Sequence, residues 1–495
     1  MSSDPYSRPL ACVDALGTNA ADARRFPEKR VLLMGEARVL ATNNGRLIAL
    51  YCVRLLVRIC RYVHVWIPEE LRELRNEIEV LGAEIAFCHP LFVASTDPNA
   101  ENFDAVLNIG TEATAGNMTV INSNGWLARV TYEGRLPAEC DQPNPIGALA
   151  AASFGVSEIF KRLVGVLPRR GPYFGALMFS TYDWTTGGTA TGPELPHALK
   201  LPRLLATGQG AIGNGITLLL AELPLDGEIF LLDRQAYGSE NLGTCVLMRS
   251  DDTGKPKAVA NTAWLRSQGK RNVEPLEGEI EKLLGTFGQK IPYPTVIVNG
   301  LDNVDARHAI QELWPDFLID GAIGDFSCQV VTHTPEGNRA CLKCMFEMPP
   351  APDPDIAATA DTGLSRDRVK DAEGRIDDTD IADAPAERKE FLQKNLGRKI
   401  CSVISESAFS RIAKDTVRFS PSVPFVATMG AALAMSALVR HVMGHGVPAA
   451  RFQFDMLVGP EAGEFLNERA KPVCYCQERK ALIAEIRRSR DAGQS

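Results

Sequence analysis

Positive charge is in short supply. The 53 lysines and arginines are outnumbered by 61 aspartates and glutamates, a formal charge of −8 at pH 7, which argues against a general nucleic-acid binder. Membrane-length apolar runs are also lacking. The longest, Val423 to Val439, is rich in Ala and Gly, slightly short for a bilayer, and reads as a buried core helix. The chain opens MSSDPYSRPL, without the apolar stretch of a secretory leader, so a cytoplasmic protein with no membrane partner is expected. The 12 cysteines are spread over 495 residues, which fits reduced thiols better than a disulfide framework. That length exceeds what one core supports and predicts two or three domains.

The strongest local pattern is "LLATGQGAIGNGITLLLAELPLDGEIFLLD". It predicts a strand, a glycine loop, an apolar helix and a second strand. Gly208, Gly210 and Gly213 give G-x-G-x-x-G, and Asp233 follows 25 residues after Gly208. The first glycine makes a tight turn, the second lets backbone approach a phosphate, and the third lets helix and strand pack closely. Phosphates would sit at the helix N-terminus, and Asp233 could accept from ribose hydroxyls. The glycines alone do not choose between a nicotinamide cofactor, ATP and an empty turn.

The chain also repeats weakly. "KRVLLMGEARVLATNNGRLIALYCVRLL" predicts a strand, turn and helix with Gly35 in the place of Gly208. "DAVLNIG" and "TVINSNGW" precede a proline-led helix, as "PTVIVNGLDN" and "FLIDGAIG" do later. Pro145 to Gly165 and Pro424 to Gly444 each span 20 residues, with proline at the start and glycine past the end. Glu36-Ala37-Arg38 follows Gly35, and "HVWIPEE" holds no aspartate. The first half is therefore expected to keep the fold without the nucleotide. Pro349 to Glu390 holds 12 acids against 6 bases and no aromatic residue, which predicts a mobile surface insert that buries too little to order.

Hydride transfer needs little beyond the loop and the ribose acid. Adenylation needs cations and Mg²⁺ to meet phosphate charge, and candidates for both lie downstream in "NLG" (Asn241–Gly243), "GKPKA" (Gly254–Ala258) and "GLDNVDAR" (Gly300–Arg307). The series G-x-G-x-x-G, strand-end Asp, Asn-Leu, G-x-x-K, Asp-Asn and C-x-x-C resembles the adenylating domain of ubiquitin-activating enzymes and their bacterial MoeB/ThiF relatives, over about Leu201 to Glu478. Its tandem order resembles the activating enzymes of bacterial ubiquitin-like conjugation operons, some of them antiviral.

The resemblance implies an α/β fold of tandem Rossmann-like ThiF-type domains, with mostly parallel sheets flanked by helices. An inactive half would cover residues 1–167, a connector 168–200, and an active ATP-binding half 201–480. The last would carry a mobile insert at 349–420, and 481–495 would form a tail. The resemblance also implies ATP and Mg²⁺ as cofactors. Asp233 would hold the ribose, Asn241 would help position phosphates, Lys257 would pair with phosphate oxygens, and Asp302 would hold Mg²⁺. "YSRPL" nominates Arg8 as a cation reaching over from the first half; a solvated charge on a loose terminus is the alternative. Thr244 stands where the family usually has arginine. Arg8, Lys255 or Arg249 compensates, or turnover is weaker.

Cys341 and Cys344 form C-x-x-C, and Cys474 and Cys476 form C-x-C. The family staples its C-terminal segment with two such pairs, which implies a structural zinc. Cys401, preceded by Arg398 and Lys399, is the candidate thioester nucleophile, with Cys245 and Cys328 as rivals. The implied activity is ATP-dependent activation of a ubiquitin-like protein ending in Gly. Adenylation of its carboxylate would precede thioester formation and transfer to a ubiquitin-conjugating-like enzyme. A sulfur-carrier activator without a thioester, an NAD-dependent oxidoreductase and a pseudoenzyme scaffold are the alternatives. A monomer would suffice for a tandem chain, and a homodimer is equally compatible.

Overall fold

The computed structural model describes residues 5–14, 16, 23–85, 91–94, 96, 98–165, 172–336, 338–346, 354–371, 374–400, 402–404 and 422–492. Two compact units divide the chain. One is Met1–Phe346 with Pro421–Ser495, and the other is Glu347–Ser420.

The larger unit holds two major sheets. The first is built from β1 (Arg30–Gly35), β2 (Tyr62–Trp66), β3 (Phe92–Ala94), β4 (Ala105–Ile109), β5 (Met118–Asn124), β6 (Leu127–Thr131) and β7 (Leu177–Ser180), in the order β3-β2-β1-β4-β5-β6-β7. A two-stranded sheet joins β8 (Leu199–Lys200) to β10 (Leu225–Asp226). The second major sheet contains β9 (Leu204–Thr207), β11 (Ile229–Asp233), β12 (Val273–Glu277), β13 (Val296–Asn299), β14 (Phe317–Gly324), β15 (Ser327–His333), β16 (Arg451–Asp455) and β17 (Glu464–Leu466). Its order is β12-β11-β9-β13-β14-β15-β16-β17. In each sheet the strands up to the fifth along the order pair in parallel and the rest are antiparallel. The connector, rich in turn residues, nevertheless supplies β7, because Leu177 and Phe179 bury into the first sheet's core.

The described helices of this unit that bear on the site are α1 (Ser7–Asp14), α2 (Ala37–Leu40), α3 (Asn43–Leu56), α4 (Arg72–Ile85), α5 (Pro145–Val164), α6 (Ala211–Glu222), α7 (Lys257–Ser267) and α8 (Val304–Gln311). The two proline-led helices form as their sequences predict. Asn144 caps α5 by accepting from the Ile146 N–H, and Gly165 ends it at φ +69°. The second such helix, Pro424–Val442, is followed by Gly444 at φ +76°.

Both are apolar almost all round, which requires burial on every side, and each lies against the other. Ser153 Oγ and Thr428 Oγ1 are 2.7 Å apart, and the rings of Phe160 and Phe425 stand 5.4 Å apart. One continuous apolar cluster runs from Val31 and Leu33 of the first sheet to Val330 and Phe452 of the second. Pro424–Val442 is the one described helix long and apolar enough to cross a membrane, and it is 89% buried inside this core.

The smaller unit departs from the expectation of a segment too poor in apolar residues to order. Its described residues form α9 (Pro354–Thr362), α10 (Arg366–Lys370), α11 (Asp378–Asp383) and α12 (Ala386–Lys394). Leu364, Val369, Ile376, Leu392, Ile400 and Val403 share a small core. Arg368 meets Asp371, Asp377 and Asp380, so part of the acidic excess is consumed in internal pairing. Cys401 lies outside the described residues.

Candidate functional site

The glycine loop joins β9 to α6, and its three glycines do different work. Gly208 turns the chain at φ +76°, and a Cβ there would lie 2.7 Å from the Gly300 carbonyl carbon. A Cβ on Gly213 would lie 2.0 Å from the Gly208 oxygen, whereas one on Gly210 would meet nothing within 4 Å. Gly208 and Gly213 therefore serve packing. Gly210, at the N-cap of α6, faces open space at a helix N-terminus, where an anion is favoured. Gly213→Ala is expected to destabilise by about 1–3 kcal/mol through overpacking, with Gly210→Ala costing clearly less. Urea unfolding midpoints check this, and equal losses would refute the division of labour.

Asp233, at the end of β11, accepts from the Gln209 N–H at 2.6 Å and the Gln235 N–H at 2.7 Å. One carboxylate thus fixes the glycine loop and the turn after the strand. Gln235 passes the order on: its side-chain oxygen accepts from Lys257 Nζ at 2.8 Å, and its carbonyl accepts from the Lys257 N–H at 2.9 Å.

Below the loop lies a buried polar layer that the sequence patterns did not single out. Gln209 Oε1 accepts from Thr217 and Asn261, Asn214 donates to the Gln209 and Gly210 carbonyls, and the Tyr237 hydroxyl donates to Asn261. Periodicity hides such a layer, because Gln209, Asn214 and Asn261 read as ordinary loop or helix positions.

Asn241 caps the turn Ser239–Gly243 by accepting from the Gly238 N–H at 2.9 Å. Against this turn pack α1 and the residues just before it, so closely that a Cβ on Gly243 would lie 2.2 Å from the Pro5 carbonyl oxygen. Arg8, on α1, donates to Thr244 Oγ1 at 3.4 Å and stands 3.9 Å from Glu240. The guanidinium thus lies beside the position where the resembling family carries its own arginine. Burial lowers the Arg8 pKa from its ordinary value, and the charges of Glu240 and Asp302 oppose that fall. Of the alternative cations, Lys255 pairs with Asp252 and Arg249 with Glu84.

Asp302 is exposed beyond β13, one residue before the α8 cap Asn303. Its carbonyl accepts from Arg307 at 3.1 Å, and Arg307 pairs with buried Asp320. The side chain is thereby carried on a fixed backbone at an exposed position. A hard cation such as Mg²⁺ favours such donors. Arg8, Lys257, Asp302 and the 241–245 segment are brought into one neighbourhood. Arg8 and Lys257 both lie near enough to Cys245 for their charges to oppose the rise that burial imposes on its thiol.

Two further side chains, Arg54 in the last turn of α3 and Arg58 just beyond its end, complete this neighbourhood. Arg58, fully buried, donates to the carbonyls of Cys245 at 3.1 Å and Met248 at 2.9 Å, and Arg54 donates to that of Val246 at 3.3 Å. In sequence they read as solvated charges on an amphipathic helix, and no local signal links residues 187 apart.

The rival nucleophiles Cys245 and Cys328 are both fully buried, and burial raises both thiols. Neither suits attack on an external acyl group, since the thiolate is the nucleophile.

In the first half the loop after β1 differs from the glycine loop by an inserted turn, α2. The counterpart of Gly213 is Gly45, not a residue near Gly35. A Cβ on Gly45 would lie 1.9 Å from the Val39 oxygen, the same kind of contact that Gly213 makes.

Cys341, Cys344, Cys474 and Cys476 gather so that all four sulfurs lie within 4.8 Å of one another. Three separations are 3.8, 3.7 and 3.6 Å. Four sulfurs about 2.3 Å from one tetrahedral zinc would be spaced by about 3.8 Å, so the set can hold that ion. The Lys471 N–H points at Cys344 Sγ from 3.4 Å. Burial pushes the Cys344 thiol up, but that N–H and its neighbours in the cluster bring it below its ordinary value.

A model described as ThiF family matches residues 189–475. The chain is 30% identical over 181 residues to the SAMP-activating enzyme E1 of Haloferax volcanii, covering 35% of this chain and 64% of that protein. The match thus spans just under two thirds of that relative's length. Over 412 residues it is 24% identical to the bacterial E1-like protein BilD of Collimonas sp., covering 77% of this chain and 78% of that one. A crystal structure of E. coli MccB with ATP overlays with a TM-score of 0.37 at 17% identity, over 57% of this chain and 68% of that one.

Proposed function

This chain belongs to the ThiF family, and from that membership we propose that it is an E1-like enzyme that adenylates the C-terminal carboxylate of a ubiquitin-like protein. A tandem of an inactive half before an active one is the arrangement we infer, with ATP bound by the second half alone. The observation that carries the reading is the gathering of Arg8, Lys257 and Asp302 around the segment beside the Gly208–Gly213 loop.

In the proposed reaction the substrate carboxylate attacks the α-phosphorus. A new P–O bond forms as the bond to pyrophosphate breaks, leaving an acyl adenylate. The α6 N-terminus at Gly210 would take the phosphates, and Asp233 the ribose. Lys257, aimed by Gln235, and Arg8, aimed by Thr244, would meet the charge on the leaving pyrophosphate. Asn241 would keep its turn in register. Asp302 would hold Mg²⁺, which when bound supplies further charge neutralisation. The four-cysteine set would hold a structural zinc.

The second step we propose is attack of a thiolate on the acyl adenylate, with AMP leaving and a thioester forming for transfer to a conjugating enzyme. Cys401 is the proposed nucleophile, and the burial of Cys245 and Cys328 supports choosing it over them. Relatives named for SAMP activation and as E1-like support this reading over nicotinamide chemistry.

The test is ATP–pyrophosphate exchange in the presence of ubiquitin-like proteins ending in Gly. Exchange that depends on such a protein is expected; none, together with NAD binding, would sink the proposal. Cys401→Ala should retain exchange and lose the reducible conjugate on a non-reducing gel. Exchange with no conjugate from the unaltered protein would point to a sulfur-carrier activator instead.

A further inference from the structure

The first half carries a crevice of about 500 Å³ at the C-terminal ends of β1, β2 and β4. There the order β3-β2-β1-β4 reverses direction between β1 and β4, the place where open α/β sheets bind ligands. Matching the ladder ends of the two sheets shows what has changed. The pair Gly35–Ile109 corresponds to Thr207–Asn299. Glu36 then stands in the place of Gly208, and Glu112 in that of Asp302. By the same register Pro68 replaces Asp233. The phosphate-facing turn has become a carboxylate, and the ribose acid has gone.

Among the described residues, four charged ones line the crevice, Glu36, Glu69, Glu70 and Glu112, and none of the lining is basic. Its apolar lining includes Met34, Trp66 and Met118. Asn108 also lines it. That side chain is 6% exposed, and its Oδ1 accepts from no group among the described residues. A buried carbonyl-type oxygen left unpaired costs about 1–3 kcal/mol, so an incoming donor is favoured.

Burial raises the Glu36 pKa, yet hydrogen bonds from Thr111 and Arg38 hold it below its ordinary value and keep the group charged. Three of the carboxylates already accept guanidinium groups from outside the lining: Glu36 from Arg38, Glu69 from Arg72 and Glu112 from Arg135. These arginines are 63%, 78% and 75% exposed, and such pairs contribute only about 0–1 kcal/mol. Glu70 has no partner among the described residues.

We propose that this crevice binds an organic cation, a guanidinium or primary ammonium group set against Trp66 and ringed by Glu36, Glu70, Glu112 and the Asn108 oxygen. The lining offers acceptors and an aromatic side chain, Trp66, which suits a donor cation and repels a nucleotide. Glu69 and Glu70 also line a broader groove of about 1020 Å³ beside α4, so the cation can be a free amine or a side chain on a peptide that continues along the groove.

Isothermal titration of the full chain at low ionic strength, with agmatine and with an acetyl-Gly-Arg-Gly-amide peptide, distinguishes the two sources. Saturable binding with one site per chain is expected for at least one of them. Glu70→Lys, at an exposed position, should weaken it about tenfold or more by charge reversal, as should Asn108→Leu by removing the acceptor. Glu101→Lys, exposed outside the crevice lining, should not. Binding of neither ligand, equal weakening by Glu101→Lys, or displacement by ATP would overturn the proposal. ATP–pyrophosphate exchange should be unchanged in Glu70→Lys, so a failure here and a failure of the adenylation reading are separable.

Discussion

Asp302→Ala is expected to reduce ATP–pyrophosphate exchange by about 10²–10³-fold or more while leaving the protein folded, since loss of one preorganised charge-stabilising group at a transition state costs that much. The side chain is exposed, so its removal should change stability by no more than about 0.5 kcal/mol. The backbone beneath it is held independently by the Arg307 bond to the Asp302 carbonyl and by the Arg307–Asp320 pair. An unchanged melting temperature beside lost exchange would place the effect in chemistry. Full exchange in the variant would remove Asp302 from the phosphate site. A fall in stability of several kcal/mol would make it structural.

Removing zinc should have the second-largest effect, on structure and not on chemistry. Elemental analysis is expected to give one zinc per chain, and Cys344→Ser to release it. Cys474 and Cys476 belong to the C-terminal segment, and Cys341 and Cys344 follow β15. The cluster therefore ties two stretches about 130 residues apart, as the separation of 133 for Cys341 and Cys474 shows. Around it lie Trp314, Ala470 and Ile483. The helix Lys480–Ala492 keeps ion pairs from Arg487 to Asp316 and Glu336. The variant should consequently loosen that helix without unfolding the sheets. Hydrogen exchange should rise first over residues 469–492. Metal retained at one equivalent when all four cysteines are replaced would end the zinc assignment.

Much of the candidate site was legible because its signals are local. The three glycines, the YSR segment and the two members of each cysteine pair lie within a few residues of one another, and the structure brings Arg8 to Thr244. The proline-to-glycine helices were legible for the same reason.

What the sequence does not show depends on contacts across the chain. Arg54 and Arg58 reach carbonyls on a distant turn, and the layer of Gln209, Asn214, Tyr237 and Asn261 is assembled from three elements. The loop after β1 misled in another way. Gly35 looks like the first glycine of a motif, yet its Cβ would meet Leu40 at 2.8 Å. The packing glycine is Gly45, displaced by a turn that no spacing rule anticipates. In the acidic insert, composition counts the apolar residues without showing that the few present converge.

The two buried helices Pro145–Val164 and Pro424–Val442 have a consequence for how this gene could be divided. Their mutual contact is the interior of the larger unit, and Arg58 donates to the carbonyls of Cys245 and Met248, which lie in the turns between β11 and β12. Severing the connector would create two polypeptides, each baring a face of core residues. They would behave as an obligate heterodimer, each insoluble when expressed alone and recovered only by co-expression. Complementary fragments split near residue 170 would therefore report on their own reassembly.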